Sequence, residues 1–329
     1  MRATRFSLES RGFMLAVLQK LLPIFGNTVL PVFLVAGTGF LLARTMKLDG
    51  RTLGRILFFL STPSLVFRGL YQSDIPYASL GRIAFAAMVI MLVAGVLGWI
   101  IAWDQERRRR VAVTLCAMMG NNGNMGLPIS YFALGETGLA LATIFYIVNS
   151  FLGNTVGVFI ASMGRTTGDP NGSEGQGASM GSAFRSTLKV PILYAAFLGM
   201  LINGMGWELP VGIFRPVDLL ADMAIPGMLV LLGIQLSSAP LVARQAVLAR
   251  VVALRLLGTP ALAFLFCLLM GITGLERNVI LLQAAMPTAV MVTVLATEYD
   301  AAPRFVATVI FFTTLVSMVT LSLLLSQIS

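Results

Sequence analysis

The chain alternates between long apolar runs and short breaks rich in basic residues or glycine. A bilayer crossing needs about 20 mostly apolar residues in helical form. The pattern predicts such helices at 27–44, 52–71, 81–103, 110–134, 138–163, 188–206, 216–238, 243–272, 277–297 and 303–327. The eighth and tenth are long enough to tilt or to run into the interface. The expectation is an all-α membrane protein with ten transmembrane helices.

Composition agrees with that pattern. Of 329 residues, 57% are hydrophobic and 11% charged, with a mean hydropathy of +0.88. A soluble domain carries roughly 25% charged residues. The chain has too little charge to coat a globular surface, so the uncoated area must face lipid. Residues 1–20 hold Arg2, Arg5, Glu9, Arg11 and Lys20 with no compact apolar core and cleavage site. The first span is therefore expected to stay and to act as its own insertion signal. Residues 12–24 read as an interfacial amphipathic segment within an N-terminal tail, 1–26.

Basic residues collect in cytoplasmic loops. With the N-terminus outside, the inner loops hold 15 Lys and Arg, among them Arg107 to Arg110 and Arg244, Arg250 and Arg255. The outer loops and the tail together hold 8. Both termini are thus expected outside, in a multi-pass protein of the plasma (inner) membrane. Residues 164–187, rich in Gly and Ser, read as a flexible cytoplasmic linker. The linker divides the spans into five and five, over 27–163 and 188–329.

The halves share a proline register. Pro31, Pro63 and Pro128 recur as Pro191, Pro226 and Pro287 at offsets of 160, 163 and 159. Prolines are common in membrane helices, but that alone does not explain the register. A duplicated unit with an odd number of spans must insert its second copy upside down. Two inverted five-helix repeats of this kind, with broken helices crossing near the midplane, form the plan of many secondary transporters.

The fourth run contains Gly120-Asn121-Asn122-Gly123-Asn124-Met125-Gly126-Leu127-Pro128. Three Gly, three Asn and a Pro in nine residues cannot propagate a helix. Inside hydrocarbon such a break survives only where protein or water satisfies its backbone. The amides of Asn121, Asn122 and Asn124 then either cap the break or meet a ligand. Pro128 suits the first turn of a new half-helix, whose positive end attracts anions. The ninth run has Gln283-Ala284-Ala285-Met286-Pro287-Thr288-Ala289, with proline but no glycine. It is expected to kink rather than unwind, to cross the fourth helix, and to offer Thr288 as a further ligand.

Intramembrane charge is scarce. Asp218 and Asp222 lie one turn apart near Pro226. They read either as interfacial carboxylates favoured by a helix N-terminus or, for Asp222, as a proton-coupling group. Arg68 either pairs with one of them, draws anions in, or snorkels to the interface. Glu136, Glu276, Glu298 and Asp300 fall at span ends and are expected to be solvated. Asn149 and Asn154 either line the path or join helices.

The G-N-N-G-N-M-G-L-P segment at 120–128, Q-A-A-M-P at 283–287, A-T-E-Y-D at 296–300, P-S-L-V-F at 63–67 and the linker resemble the auxin efflux carrier family, bacterial members included. The likeness spans nearly the whole chain. It implies a five-plus-five inverted repeat, a scaffold part and a transport part, a homodimer, and movement of carboxylates. It also implies a substrate site where the fourth and ninth helices cross beside Pro128 and Pro287. By motif position Asn121 matches the family's substrate-contacting asparagine, seven residues before Pro128. The ninth segment lacks the additional proline of the plant carriers, with Thr288 and Met291 following Pro287. That departure leaves auxin itself open as a substrate.

The expected substrate-binding set is Asn121, Asn122, Gly123, Asn124, Gly126, Pro128, Pro287 and Thr288, for a small organic anion, with no cofactor and no metal. The competing reading is a sodium- or proton-coupled symporter of the bile-acid type, or an ion antiporter. No span centre holds a carboxylate pair, which counts against the antiporter. An enzyme is disfavoured because the chain has no His and no nucleophile motif. Cys116 and Cys267 sit in apolar runs, unlike a disulfide or metal pair. The net charge of +9 reports membrane orientation, not a nucleic-acid footprint.

Overall fold

The computed structural model describes residues 22–46, 48–164, 190–237 and 246–328. The N-terminal tail up to residue 21 and the linker at 165–187 lie outside the described residues. The chain is mostly helical. Its elements are α1 (Leu22–Met46), α2 (Gly50–Tyr71), α3 (Tyr77–Ile101), α4 (Arg107–Met118) and α5 (Asn122–Ser162). After the linker come α6 (Pro191–Gly204), α7 (Val211–Ser237), α8 (Ala246–Leu269), α9 (Gly274–Ala284), α10 (Met291–Glu298) and α11 (Pro303–Ile328). Seven of these, α1, α2, α3, α5, α7, α8 and α11, are long and apolar enough to cross a membrane.

Only 28–50% of the most apolar window of each such helix is buried within the protein. Outward residues such as Phe85, Val96, Ile100, Leu265 and Leu268 are large and apolar. A water-soluble surface does not carry so much contiguous apolar area, so this surface faces lipid. Tyr77, Trp103 and Trp207 lie exposed at or just beyond helix ends, the usual depth of interfacial aromatics.

Four helices carry a π turn directly ahead of a proline. The pairs are Phe25–Val29 with Pro31, Leu57–Ser61 with Pro63, Asn122–Gly126 with Pro128, and Leu254–Gly258 with Pro260. Proline has no N–H to give and its ring crowds the carbonyl four residues back. The wider turn opens the ladder there, so the helix continues. Gly135 breaks α5 more sharply, at φ 68°, ψ −166°. A left-handed φ of this kind costs glycine little, so the helix kinks at Gly135.

Small residues set the closest helix contacts. α1 packs on α7, and α2 on α6. A Cβ on Gly39 would run into the Val230 carbonyl, and one on Gly233 into the Ala36 carbonyl. A Cβ on Gly199 would come within 2.9 Å of the Phe67 carbonyl oxygen. Glycine at these positions lets backbones touch, which replaces the hydrophobic drive that lipid cannot provide. α3 packs on α4, and α8 on α9. Asp218 and Asp222 are not at a helix start, because α7 begins at Val211.

Candidate functional site

α4 ends at Met118, and Met119 turns extended at φ −99°, ψ 111°. Asn121 sits at φ −77°, ψ 52°, and α5 then opens with the π turn Asn122–Gly126. On the other side α9 ends at Ala284 and α10 begins at Met291. The two non-helical stretches meet in an isolated antiparallel bridge between Gly120 and Thr288. The Asn121 amide donates to the Pro287 carbonyl at 2.7 Å, and the Ala289 amide to the Met119 carbonyl at 2.9 Å. Each break thus satisfies part of the other's backbone. The expected kink in the ninth run is a full interruption. Pro287 lacks an N–H and forces Met286 out of helix, and the freed groups find partners across the bridge.

Several of the expected site residues build this crossing. Asn122 is fully buried, and its Nδ2 donates to the Gln283 carbonyl at 2.7 Å and to Gln283 Oε1 at 2.8 Å. Gln283 Nε2 in turn donates to Ser130 Oγ at 3.0 Å. Gly126 faces that same side chain: a Cβ there would stand 2.5 Å from Gln283 Oε1. Thr288 is fully buried, with its Oγ1 donating to the Cys116 carbonyl at 3.0 Å and its N–H to Thr313 Oγ1 at 3.2 Å. Pro128 is buried in the first turns of α5, and Pro287 lends its carbonyl to the bridge.

Asn121, Gly123 and Asn124 instead line a cavity of about 260 Å³. Ala289, Val290, Met291, Tyr146, Asn149 and Gln235 also line it. The first turns of both α5 and α10 therefore open on the same space. First-turn N–H groups carry the positive end of the helix dipole; in α10 those of Val292 and Thr293 donate to the Ala289 and Val290 carbonyls at 3.1 and 2.9 Å. Asn149 Nδ2 donates to the Gly120 carbonyl at 3.0 Å. Asn121 Nδ2, Asn149 Oδ1 and Gln235 Oε1 are buried there with no protein partner. Among the described residues no charged side chain lines this cavity.

Behind Gly120, on the far side of the bridge, lies Arg255. The charge pattern along the chain puts it among the basic loop residues, and the structure corrects this. Arg255 sits within α8 and is 3% exposed. Its Nε donates to the Met286 carbonyl at 2.8 Å, Nη1 to the Ala117 carbonyl at 2.9 Å, and Nη2 to the Ala284 carbonyl at 3.2 Å. Thr259 Oγ1 also donates to the Ala284 carbonyl, at 2.8 Å. A signal was present: an arginine within an apolar run that also carries Thr259 and Pro260.

A larger cavity of about 640 Å³ lies further along α2, lined by Arg68, Gln72, Ser79, Glu136 and Asp218. Leu57 and Phe58 face the smaller cavity, while Leu65 and Gly69 face this one. Arg68 Nη1 reaches both Asp218, at 2.8 Å, and Asp222, at 2.6 Å. The arginine thereby neutralises a carboxylate pair that would otherwise repel. Glu276 is not freely solvated, since Arg82 holds it at 2.5 Å. Asp300 pairs with Arg108. Asn154 bonds within its own helix, with Nδ2 on the Ser150 carbonyl at 2.8 Å.

The two interrupted stretches thus pair through Gly120 and Thr288, beside a polar cavity that no charged side chain lines among the described residues. The chain belongs to the membrane transport protein family, whose model matches residues 24–325. It is 31% identical to the "Uncharacterized transporter" of Methanothermobacter thermautotrophicus, over 90% of this chain and 96% of that one. It is 27% identical to the "Putative malonate transporter" of Rhizobium meliloti, over 90% and 93%. A shorter match, 24% identical over 41% of this chain and 26% of the other, is to the rice "Probable auxin efflux carrier component 1b".

Proposed function

We propose that this protein is a secondary carrier of small organic anions, mono- or dicarboxylates, bound at the cavity beside the Gly120–Thr288 bridge. The observation that carries this reading is the convergence of two helix N-termini and the unpartnered side-chain amide nitrogen of Asn121 on one space that no carboxylate lines among the described residues. Such a space favours negative solutes without a fixed cation in its wall. Its volume, about 260 Å³, falls below the roughly 300–1,000 Å³ of sites for drug-sized ligands, which favours a short acid. The name of the Rhizobium meliloti relative points to the same chemistry.

In this reading α4 with the first part of α5, and α9 with α10, are two broken spans, giving ten crossings in two inverted repeats. The helix contacts support it. The α1–α7 and α2–α6 pairs exchange under the repeat, as do α3–α4 and α8–α9. The group α1, α2, α6 and α7 would be a scaffold, and the crossing would rock against it past the two cavities along α2. Asp222 would act beside Arg68 at the wider cavity, as coupling group or as counter-ion. The assembly is proposed as a homodimer with both termini outside.

Proteoliposomes test the reading. Labelled malonate should enter saturably, and Asn121→Ala should lower uptake at least about tenfold, the scale of one charge-assisted hydrogen bond. Equal uptake by a monodisperse Asn121→Ala protein would remove Asn121 from the site. Strict dependence on sodium would favour the bile-acid type of symport instead.

A further inference from the structure

The crossing has two poles, and they differ in chemistry. The N-terminal tips of α5 and α10 face the cavity. The C-terminal ends of α4 and α9 face Arg255, which takes the carbonyls of Ala117, Ala284 and Met286. These carbonyls carry the negative end of each helix dipole. In interrupted transporter helices such carbonyls are ligands for a dissociable inorganic cation. Here a guanidinium fills that place. It is covalently fixed to α8 and cannot leave. No carboxylate among the described residues acts on Arg255. Its charge is therefore balanced by backbone dipoles alone, and a net positive centre stands directly behind Gly120. A Cβ on Gly120 would collide with Nη2, so glycine at 120 is what allows the approach.

We propose that Arg255 is a tethered cation: it locks the two C-terminal half-helix ends together and gives the cavity on the other side of the bridge its preference for anions. It is a positioning residue, since it does not line the cavity. The lock is independent of what the carrier transports, while the anion preference rests on the function proposed above. A free cation is then not needed to hold this crossing together.

The native thiol of Cys116 reports on the lock. Cys116 is buried, and its own carbonyl receives Thr288 across the crossing. In a Cys267→Ser background it is the only thiol in the chain. Its alkylation by N-ethylmaleimide in detergent should be slow in the parent. With Arg255→Met, which fills similar space without charge, labelling should be at least about tenfold faster, as expected when local opening becomes easier. Arg255→Ala should behave alike, and millimolar guanidinium chloride should slow its labelling again where tetramethylammonium chloride does not. Labelling of Arg255→Met at the parent's rate would overturn the lock, as would the absence of guanidinium protection in Arg255→Ala. Should neither variant be recovered folded, Gly120→Ala decides, because it displaces the guanidinium while leaving its charge. Fast labelling supports the lock, and parental labelling refutes it. Malonate uptake is measured in parallel. A parent that carries no malonate bears on the substrate reading alone, because labelling uses no substrate. A parent that carries it, beside a guanidinium-protected Arg255→Ala that does not, overturns the assignment of anion preference.

Discussion

The two breaks that meet at the bridge reach one geometry from unlike sequences. Residues 119–121 break a segment dense in Gly and Asn, whereas residues 285–290 contain no glycine and one proline. The first break is intrinsic: Asn and Gly are poor helix formers wherever they stand. The second is largely imposed. Ala285, Met286 and Ala289 are ordinary helix residues, and what holds them open is external. Asn121 takes the Pro287 carbonyl, Met119 takes the Ala289 amide, and Arg255 takes the Met286 carbonyl. A weak local signal therefore suffices when a neighbouring break supplies complementary groups.

This asymmetry can be broken from either side. Asn122→Ala should have the largest effect on stability, about 3 kcal/mol, because two buried acceptors on Gln283 lose their donor. Reversible unfolding in mixed micelles measures it, and a loss under 1 kcal/mol would deny Asn122 its bracing role. Gly126→Ala should follow at about 2 kcal/mol, since the new methyl must push Gln283 aside. On the second break, Thr288→Val should cost about 1 kcal/mol, one net buried hydrogen bond. A Thr288→Val effect as large as that of Asn122→Ala would show that both breaks depend equally on side chains.

The smallest expected effect lies away from the crossing. Asp104, in the turn after α3, accepts from Arg250 at 2.9 and 2.6 Å. The hydrogen bond from Arg250 holds its carboxyl below the usual carboxylate range. A carboxyl with a depressed folded-state pKa stabilises the fold above its unfolded value, about 3.9, and that contribution fades as pH falls through the lower folded value. Melting scans between pH 6 and 3 should show a slightly steeper acid-side decline in the parent than in Asp104→Asn. Parallel curves would mean that solvent screens the pair completely.

Much of the fold was legible along the chain. The third run, expected at 81–103, is helical over Tyr77–Ile101, and the tenth, expected at 303–327, over Pro303–Ile328. The break at 119–121 was legible too, because its residues conflict with any helix. The division of labour among the asparagines was not. Asn121, Asn122 and Asn124 are chemically alike, yet Asn122 turns to Gln283 while the other two face the cavity. The partner that separates them lies 161 residues away in sequence.

The amino-acid order alone determined that this chain is a helical membrane protein and that its fourth apolar run cannot stay whole. Both follow from local properties: the free energy of placing side chains in lipid, and the helix propensity of Asn, Gly and Pro. Tertiary structure alone decided what the buried charge does. Arg255 resembles a loop cation on paper, because a lone arginine in hydrocarbon is costly. That cost is met by three carbonyls at the ends of other helices, 29 to 138 residues distant, and only the fold brings them to it.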